Sequence, residues 1–397
     1  MTRSRSIAWI VWAIAAIFYA YQYILRVMPN IMMDDILQQF NIDAVIFGQF
    51  SGIYYIGYSL MHIPIGILLD RFGPKQIMPI FILMTVIGLL PLLFAKFWLY
   101  PVIGRFFIGM GSSAAILGTF KIIRLHFAED KFTRLLSLAV TIGLIGAIYG
   151  GGPVNYMCEV LGYQAVIGIF AVAGMVLAII AYLIIPALKS TERPLAFSDI
   201  MAVFSNKKVI AVCVSAGLMV GPLEGFADVW GTGFLKHVYG FEGSIAASLP
   251  SMIFVGMCFG APLLSLVAEK TKHYFGTIIA AGVVMAISFI ALIAGKLTIA
   301  SMSVVFVAVG LCSAYQIIAI YKASTYVKEQ VVSLTTAIAN MIIMIFGYLF
   351  HTLIGWIVNL QGGPTEKNAL LAGIAIIPIT LALGIIGFCG LLIKEKA

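Results

Sequence analysis

Twelve runs of apolar residues, near 7–30, 44–69, 76–95, 98–120, 135–158, 164–187, 209–235, 245–268, 276–295, 298–321, 332–358 and 369–393, dominate this chain. Each is close to the roughly 20 residues that an α-helix needs to cross a bilayer. The polar turns between them are short. A backbone in lipid must satisfy its own hydrogen bonds, so the chain can only be helical or a closed barrel. A barrel needs alternating segments of roughly 10 residues, which these runs are not. Composition agrees: 62% of residues are hydrophobic and 10% charged, against about 25% charged in a soluble domain. The predicted fold class is all-α and integral to the membrane, with twelve spans.

The formal charge of +8 does not point to nucleic acid, because the basic residues follow membrane topology. With the N-terminus in the cytoplasm, sixteen Lys and Arg fall in inside loops and helix ends: Arg3, Arg5, Arg71, Lys75, Arg124, Lys131, Arg134, Lys189, Arg193, Lys207, Lys208, Lys270, Lys272, Lys328, Lys394 and Lys396. Four fall outside: Lys96, Lys236, Lys296 and Lys367. This positive-inside bias places both termini in the cytoplasm. The remaining four, Arg26, Arg105, Lys121 and Lys322, lie within spans. The five cysteines are scattered through apolar runs with no CxxC and read as core residues. No metal or cofactor site is expected. The first run is long and has no small-residue cleavage site, so it reads as a retained span. Short termini without an organelle address suggest a bacterial inner membrane.

The longest polar connection, Lys189 to Lys208, divides the spans six and six. The expected organisation is a bundle over residues 1–187, a cytoplasmic linker over 188–208 and a second bundle over 209–397. Landmarks repeat between the halves. Asp70-Arg71 after the second span matches Glu269-Lys270 after the eighth at an offset of 199, and Lys121 matches Lys322 at 201. Arg26 projects onto the neighbourhood of Glu224 and Asp228 in the seventh span. Such internal symmetry is common in transporters.

Three ordered motifs lie in the first half. Gly66-Ile-Leu-Leu-Asp-Arg-Phe-Gly-Pro-Lys75 follows the second span, Arg105-Phe-Phe-Ile-Gly-Met-Gly111 lies in the fourth, and Gly143, Gly146, Gly150, Gly151, Gly152 and Pro153 lie in the fifth. The first resembles the G-x-L-x-D-R-x-G-R-K loop of the major facilitator superfamily, with Pro74 where a basic residue is usual. The second resembles that family's R-x-x-x-G-x-G element and the third its G-x-x-x-G-P element. The resemblance covers essentially the whole chain and implies two pseudo-symmetric six-helix bundles around a central cavity. It implies a conformational latch of Gly66, Asp70, Arg71 and Gly73, echoed by Glu269 and Lys270. Asp70 is expected to pair with a cation across the cytoplasmic face, and Gly66 to let helices approach closely. Gly146, Gly150, Gly152 and Pro153 are expected to pack and bend helices. The rival reading of the loop is a hairpin turn with a solvated charge pair.

Ionisable groups at bilayer depth are costly and mark function by default. Tyr19, Gln22, Tyr23, Arg26 and Asn30 share one face of the first span, and Glu224 and Asp228 share one face of the seventh. Tyr54, Tyr58 and His62 form a file on the second. In the resembled fold the first and seventh helices line the cavity. Candidate solute-binding residues are therefore Tyr19, Gln22, Tyr23, Arg26, Tyr54, Tyr58, Lys121, Glu224, Asp228 and Lys322. Candidate proton-coupling residues are Glu224, Asp228 and Arg105. The alternatives are snorkelling for Arg26, Lys121 and Lys322, a structural ion pair for the carboxylates, and core packing for His62 and His351.

These features predict a proton-linked secondary transporter of a small anionic or zwitterionic organic solute, acting as a monomer by alternating access. Arginine suits a carboxylate or phosphate, and a carboxylate stripped of water takes up a proton more readily. Membrane lipid and protons are the other expected partners. A facilitated-diffusion carrier of dipeptides or amino acids, and a transporter-fold receptor without net flux, are the alternatives. No P-loop, HExxH or GxSxG is present, so an enzyme or a nucleotide-driven pump is not expected.

Overall fold

The computed structural model describes residues 2–128, 131–187, 197–295, 297–328 and 331–396. Residues 188–196 of the expected linker, with Lys189 and Arg193, lie outside the described residues, as does Lys296; so do the side chains of Arg3, Arg5 and Lys396. Among the described residues all regular structure is helical.

Eleven helices are long and apolar enough to span a bilayer: Ile7–Ile31, Ala44–Phe72, Pro74–Phe94, Leu99–His126, Arg134–Leu161, Tyr163–Ile184, Gly243–Thr271, Tyr274–Ile293, Ile299–Ser324, Leu334–Leu360 and Lys367–Glu395. A broken pair, Lys207–Gly217 and Gly221–Tyr239, bends by 41° and supplies the twelfth, seventh in chain order. The sequence reads there as one apolar run near 209–235. The break has a local cause. Gly217, Gly221, Pro222 and Gly225 crowd one stretch, and Pro222 removes a backbone donor. Gly221–Trp230 is then wound as a π-helix. Large apolar side chains such as Ile17, Ile87, Val172, Leu183, Ile287 and Ile386 are exposed on the outside of the bundle, the surface that lipid would cover.

The two halves repeat each other in packing detail. A Cβ on Gly57 would strike the Phe106 carbonyl, and one on Gly109 would strike the backbone of Tyr54. In the other half a Cβ on Gly256 would strike the Val307 carbonyl, and one on Gly310 the carbonyl of Ile253. The second span thus packs on the fourth as the eighth packs on the tenth, backbone against backbone, in one register. Small residues permit this close approach in the absence of a hydrophobic driving force.

The halves meet mainly at the end away from the chain termini. Gly151 and Gly152 of the fifth span abut Ser251 and Ser248 of the eighth, and Gly48 and Gly355 bring the second span onto the eleventh at His351 and Ala44. Gly146 and Gly150 instead dock the fifth span on Ala20 and Val27 of the first. Closer to the termini, Asn340 donates to His62 Nε2 at 3.0 Å.

The residues expected to form the latch lie at the end of the second span and the turn that follows it. Gly73 turns the chain between the second and third spans at φ 75°, a region closed to most L side chains, and Pro74 opens the next helix. Asp70 pairs with Lys121 at 2.6 Å, a residue of its own half and not one across the face. Gly66 makes no close approach: a Cβ there would meet nothing within 4 Å. Glu269 and Lys270 are exposed at the matching turn, while Lys322 pairs with Glu395 at 2.5 Å.

Candidate functional site

The first span carries Arg26 to the interface between halves, one turn before the helix ends at Ile31. Its side chain does not snorkel; Arg26 is 7% exposed. Nε donates to Asp228 Oδ2 at 2.5 Å, and Nη2 lies 3.5 Å from Glu224 Oε1. The guanidinium also sits 5.2 Å from the ring centre of Tyr23 and 5.1 Å from that of Tyr55. Aromatic faces of this kind stabilise a cation that has lost its water.

Both carboxylates come from the π-helical segment of the seventh span and are buried. Asp228 Oδ2 accepts from the Tyr55 hydroxyl as well as from Arg26. Glu224 accepts from Gln316 Nε2 of the tenth span at 3.2 and 3.4 Å. Its backbone carbonyl accepts from His351 Nε2 of the eleventh at 2.5 Å. π-Helical turns recur at functional sites, and here the Glu224 carbonyl takes a bond from outside its own helix.

Asn30 completes the junction. Its Nδ2 donates to the Ala227 carbonyl and its Oδ1 accepts from the Thr232 amide, each at 2.9 Å. These two backbone groups are five residues apart, the spacing of a π-helical bond. The carboxamide bridges the two and ties the first span to the seventh.

The remaining residues of the predicted site divide. Gln22 accepts from the Tyr54 hydroxyl at 2.8 Å. Tyr54 stacks on Tyr58 with ring centres 6.0 Å apart, and Tyr19 meets Tyr23 edge-on at 5.2 Å. These lie beside the cluster on the first and second spans. Lys121 and Lys322 are not part of it, since each is held near the terminal end of its own half by Asp70 and Glu395. Arg105 forms no ion pair among the described residues and instead donates to the carbonyls of Leu25 and Arg26. Among the described residues no three His, Cys, Asp or Glu side chains converge as a metal site would need.

Tyr55 and Gln316 are not among the residues the sequence predicts for the site, nor is Asn340 predicted at the contact between halves. Tyr55 hides between Tyr54 and Tyr58 on a different face of the second span. Gln316 and Asn340 are uncharged, so a search for embedded charges passes over them. A count of every amide-bearing side chain at mid-span would have found both.

A family model for the Major Facilitator Superfamily matches residues 11–350. Among solved structures, a bacterial homologue of the human lysosomal transporter Spinster, in an inward-facing and unoccupied conformation, superposes with a TM-score of 0.73 at 17% identity, covering 96% of this chain and 97% of that one. The nucleoside transporter NupG superposes with a TM-score of 0.78 at 12% identity, covering 96% and 99%. At these identities the likeness is one of fold. No curated protein matches by sequence.

Proposed function

The chain belongs to the major facilitator superfamily, and from that premise we propose that it is a proton-coupled secondary transporter of a small anionic or zwitterionic organic solute. The observation that carries this reading is Arg26, buried and bridging Asp228 and Glu224 of the other half at 2.5 and 3.5 Å.

The chemistry follows from exchange of partners. An anionic group on the solute competes with Asp228 and Glu224 for the Arg26 guanidinium, which matches a carboxylate or phosphate with two parallel donors. A carboxylate released from Arg26 in a buried site needs a new counter-charge. A proton supplies it, or the amino group of a zwitterion does. Because Arg26 and its acids sit on opposite halves, the exchange changes what holds the halves together. A solute can shift that equilibrium only by as much as it binds the two states differently. A group placed across the interface provides such a difference. Tyr19, Gln22, Tyr23, Tyr54 and Tyr58 would contact the body of the solute.

With the basic loops in the cytoplasm, the end where the halves meet faces outward, and the conformation is inward-facing. We place the protein in a bacterial inner membrane as a monomer with both termini cytoplasmic.

The test uses purified protein in proteoliposomes. Organic acids, sugar phosphates, amino acids and dipeptides that shift its melting temperature are assayed for uptake with and without an inward proton gradient. Gradient-driven uptake that is lost in Arg26→Ala, and that loses its gradient dependence in Glu224→Gln, supports the assignment. Binding without flux under any gradient sinks it and leaves a receptor.

A further inference from the structure

Pro29 lies inside the first helix, which runs from Thr2 to Ile31. A proline has no N–H, so the carbonyl four residues earlier loses its helical donor, and the ring crowds that same carbonyl. Here that residue is Leu25. A carbonyl left unsatisfied in an apolar interior keeps its full desolvation penalty. Arg105 of the fourth span fills the gap. Its Nη1 donates to the Leu25 carbonyl at 2.7 Å, and its Nη2 reaches the next carbonyl, that of Arg26, at 3.2 Å.

Arg105 is 2% exposed. Its guanidinium rests against the rings of Tyr54 and Phe50, 5.0 and 5.7 Å from their centres. No carboxylate among the described residues forms an ion pair with it. Its hydrogen bonds go to backbone, and to the backbone of the residue whose side chain bridges the two acids. A planar fork spans two successive carbonyls in a way that a lysine ammonium does not.

We infer that Arg105 is a positioning residue: it supplies the donor that Pro29 removes from the first span, and so holds Arg26 in place between Asp228 and Glu224. The value of this for transport rests on the site proposed above; the cap itself does not. Without it the last turn is free to swing at the proline, since prolines are where helices kink. Asn30, one residue beyond, would carry that movement into the seventh span.

The inference makes a rescue experiment possible. Pro29→Ala restores an N–H to the Leu25 carbonyl and makes the arginine redundant. Wild type, Arg105→Met, Arg105→Lys, Pro29→Ala and the double variant Arg105→Met with Pro29→Ala are purified in detergent. Melting temperature is measured from pH 5 to 9, and amide hydrogen exchange is followed over residues 20–31. Arg105→Met is expected to melt lower, to exchange roughly tenfold or more faster in that segment, as loss of a charge-assisted bond implies, and to displace the pH profile of melting. Arg105→Lys is expected to fall between. The double variant is expected to return to the exchange rate and the pH profile of wild type. Should Arg105→Met not fold at all, recovery of a folded protein in the Pro29→Ala background is the expected result. An Arg105→Met protein as stable as wild type, or a double variant as impaired as Arg105→Met, overturns the inference. A double variant with restored melting but a displaced pH profile also overturns it, because the arginine would then act through its own charge. No solute enters these measurements, so failure of the transport reading leaves them interpretable.

Discussion

Arg26 and Asp228 meet at 2.5 Å across the two halves, 202 residues apart. That separation is close to the repeat of the chain, which relates Asp70 to Glu269 and Lys121 to Lys322. The pattern continues outward. Asn30 bonds Thr232 and Asp34 bonds Lys236, each again 202 residues apart. Residues equivalent under a two-fold operation touch each other only near its axis, as in an isologous interface. The first and seventh spans therefore cross on the pseudo-symmetry axis of the molecule. A rearrangement of one half against the other must be accommodated along this line of three contacts.

Removing Arg26 leaves two buried acids without their shared cation. Breaking a buried pair by deleting one partner costs about 3–5 kcal/mol, while replacing both partners by apolar groups can be neutral. Arg26→Ala is expected to lower the melting temperature sharply. Arg26→Leu with Asp228→Leu is expected to recover much of that loss and yet show no uptake. A double variant as unstable as Arg26→Ala would mean that packing, not charge, dominates at this contact.

Asn30 tests the outer end of the axis. Asn30→Leu loses two buried hydrogen bonds, an expected cost of about 1–3 kcal/mol. Asn30→Asp is expected to be worse than Asn30→Leu in destabilising the closed end, because it keeps the bond from Thr232 but sets a carboxylate against the Ala227 carbonyl. Labelling of a cysteine introduced at Gly233 should rise in both variants and more in the aspartate. Equal labelling in wild type would show that Asn30 does not hold this end closed.

The fold was legible because its signal is redundant: each span repeats the same instruction over some 20 residues, and the Asp70 and Glu269 landmarks mark the halves. The core of the candidate site was legible for a related reason. Arg26, Glu224 and Asp228 are charges where lipid depth forbids them without a purpose. What stayed hidden depends on three-dimensional register. Lys121 and Lys322 look like Arg26 in the sequence, but Asp70 and Glu395 hold them within their own halves. The π-helical winding at Gly221–Trp230 has only crowded glycines and a proline as its trace. Arg105 reads as a bare buried charge until the position of Pro29, four residues past Leu25, shows what it replaces.

At the end of the seventh span, the Asp34–Lys236 pair is roughly half exposed on both sides. Such pairs contribute about 0–1 kcal/mol and are screened by salt. Lys236→Ala is expected to leave melting nearly unchanged above physiological salt. Its neighbour Asp35 behaves differently: partial burial, then the charge of Asp34, raises its pKa from 3.8. An acid that binds its proton more tightly when folded favours the folded state at low pH, and that advantage is lost as pH rises through the raised value. Asp35→Asn is therefore expected to stabilise the protein at neutral pH and to have no such effect below pH 4. A destabilisation at neutral pH would mean that the attraction of Lys236, which opposes the rise, outweighs burial and the charge of Asp34.

The matched glycines offer the sharpest test of the repeat. In a helix, Gly→Ala gains about 1 kcal/mol of propensity. At Gly57 and Gly256 the new methyl would meet the carbonyls of Phe106 and Val307, backbone that cannot rotate away. Overpacking of this kind costs about 1–3 kcal/mol or more, so strain should win at both sites. Gly57→Ala and Gly256→Ala are expected to lower the melting temperature by similar amounts, since they occupy equivalent places. Gly66→Ala is the control: with open space around it, propensity should win and melting should hold or rise. If its turnover nonetheless slows, the close approach expected of Gly66 belongs to the opposite conformation, where the terminal ends of the halves come together. If Gly66→Ala destabilises as much as Gly57→Ala, crowding is not what distinguishes these glycines.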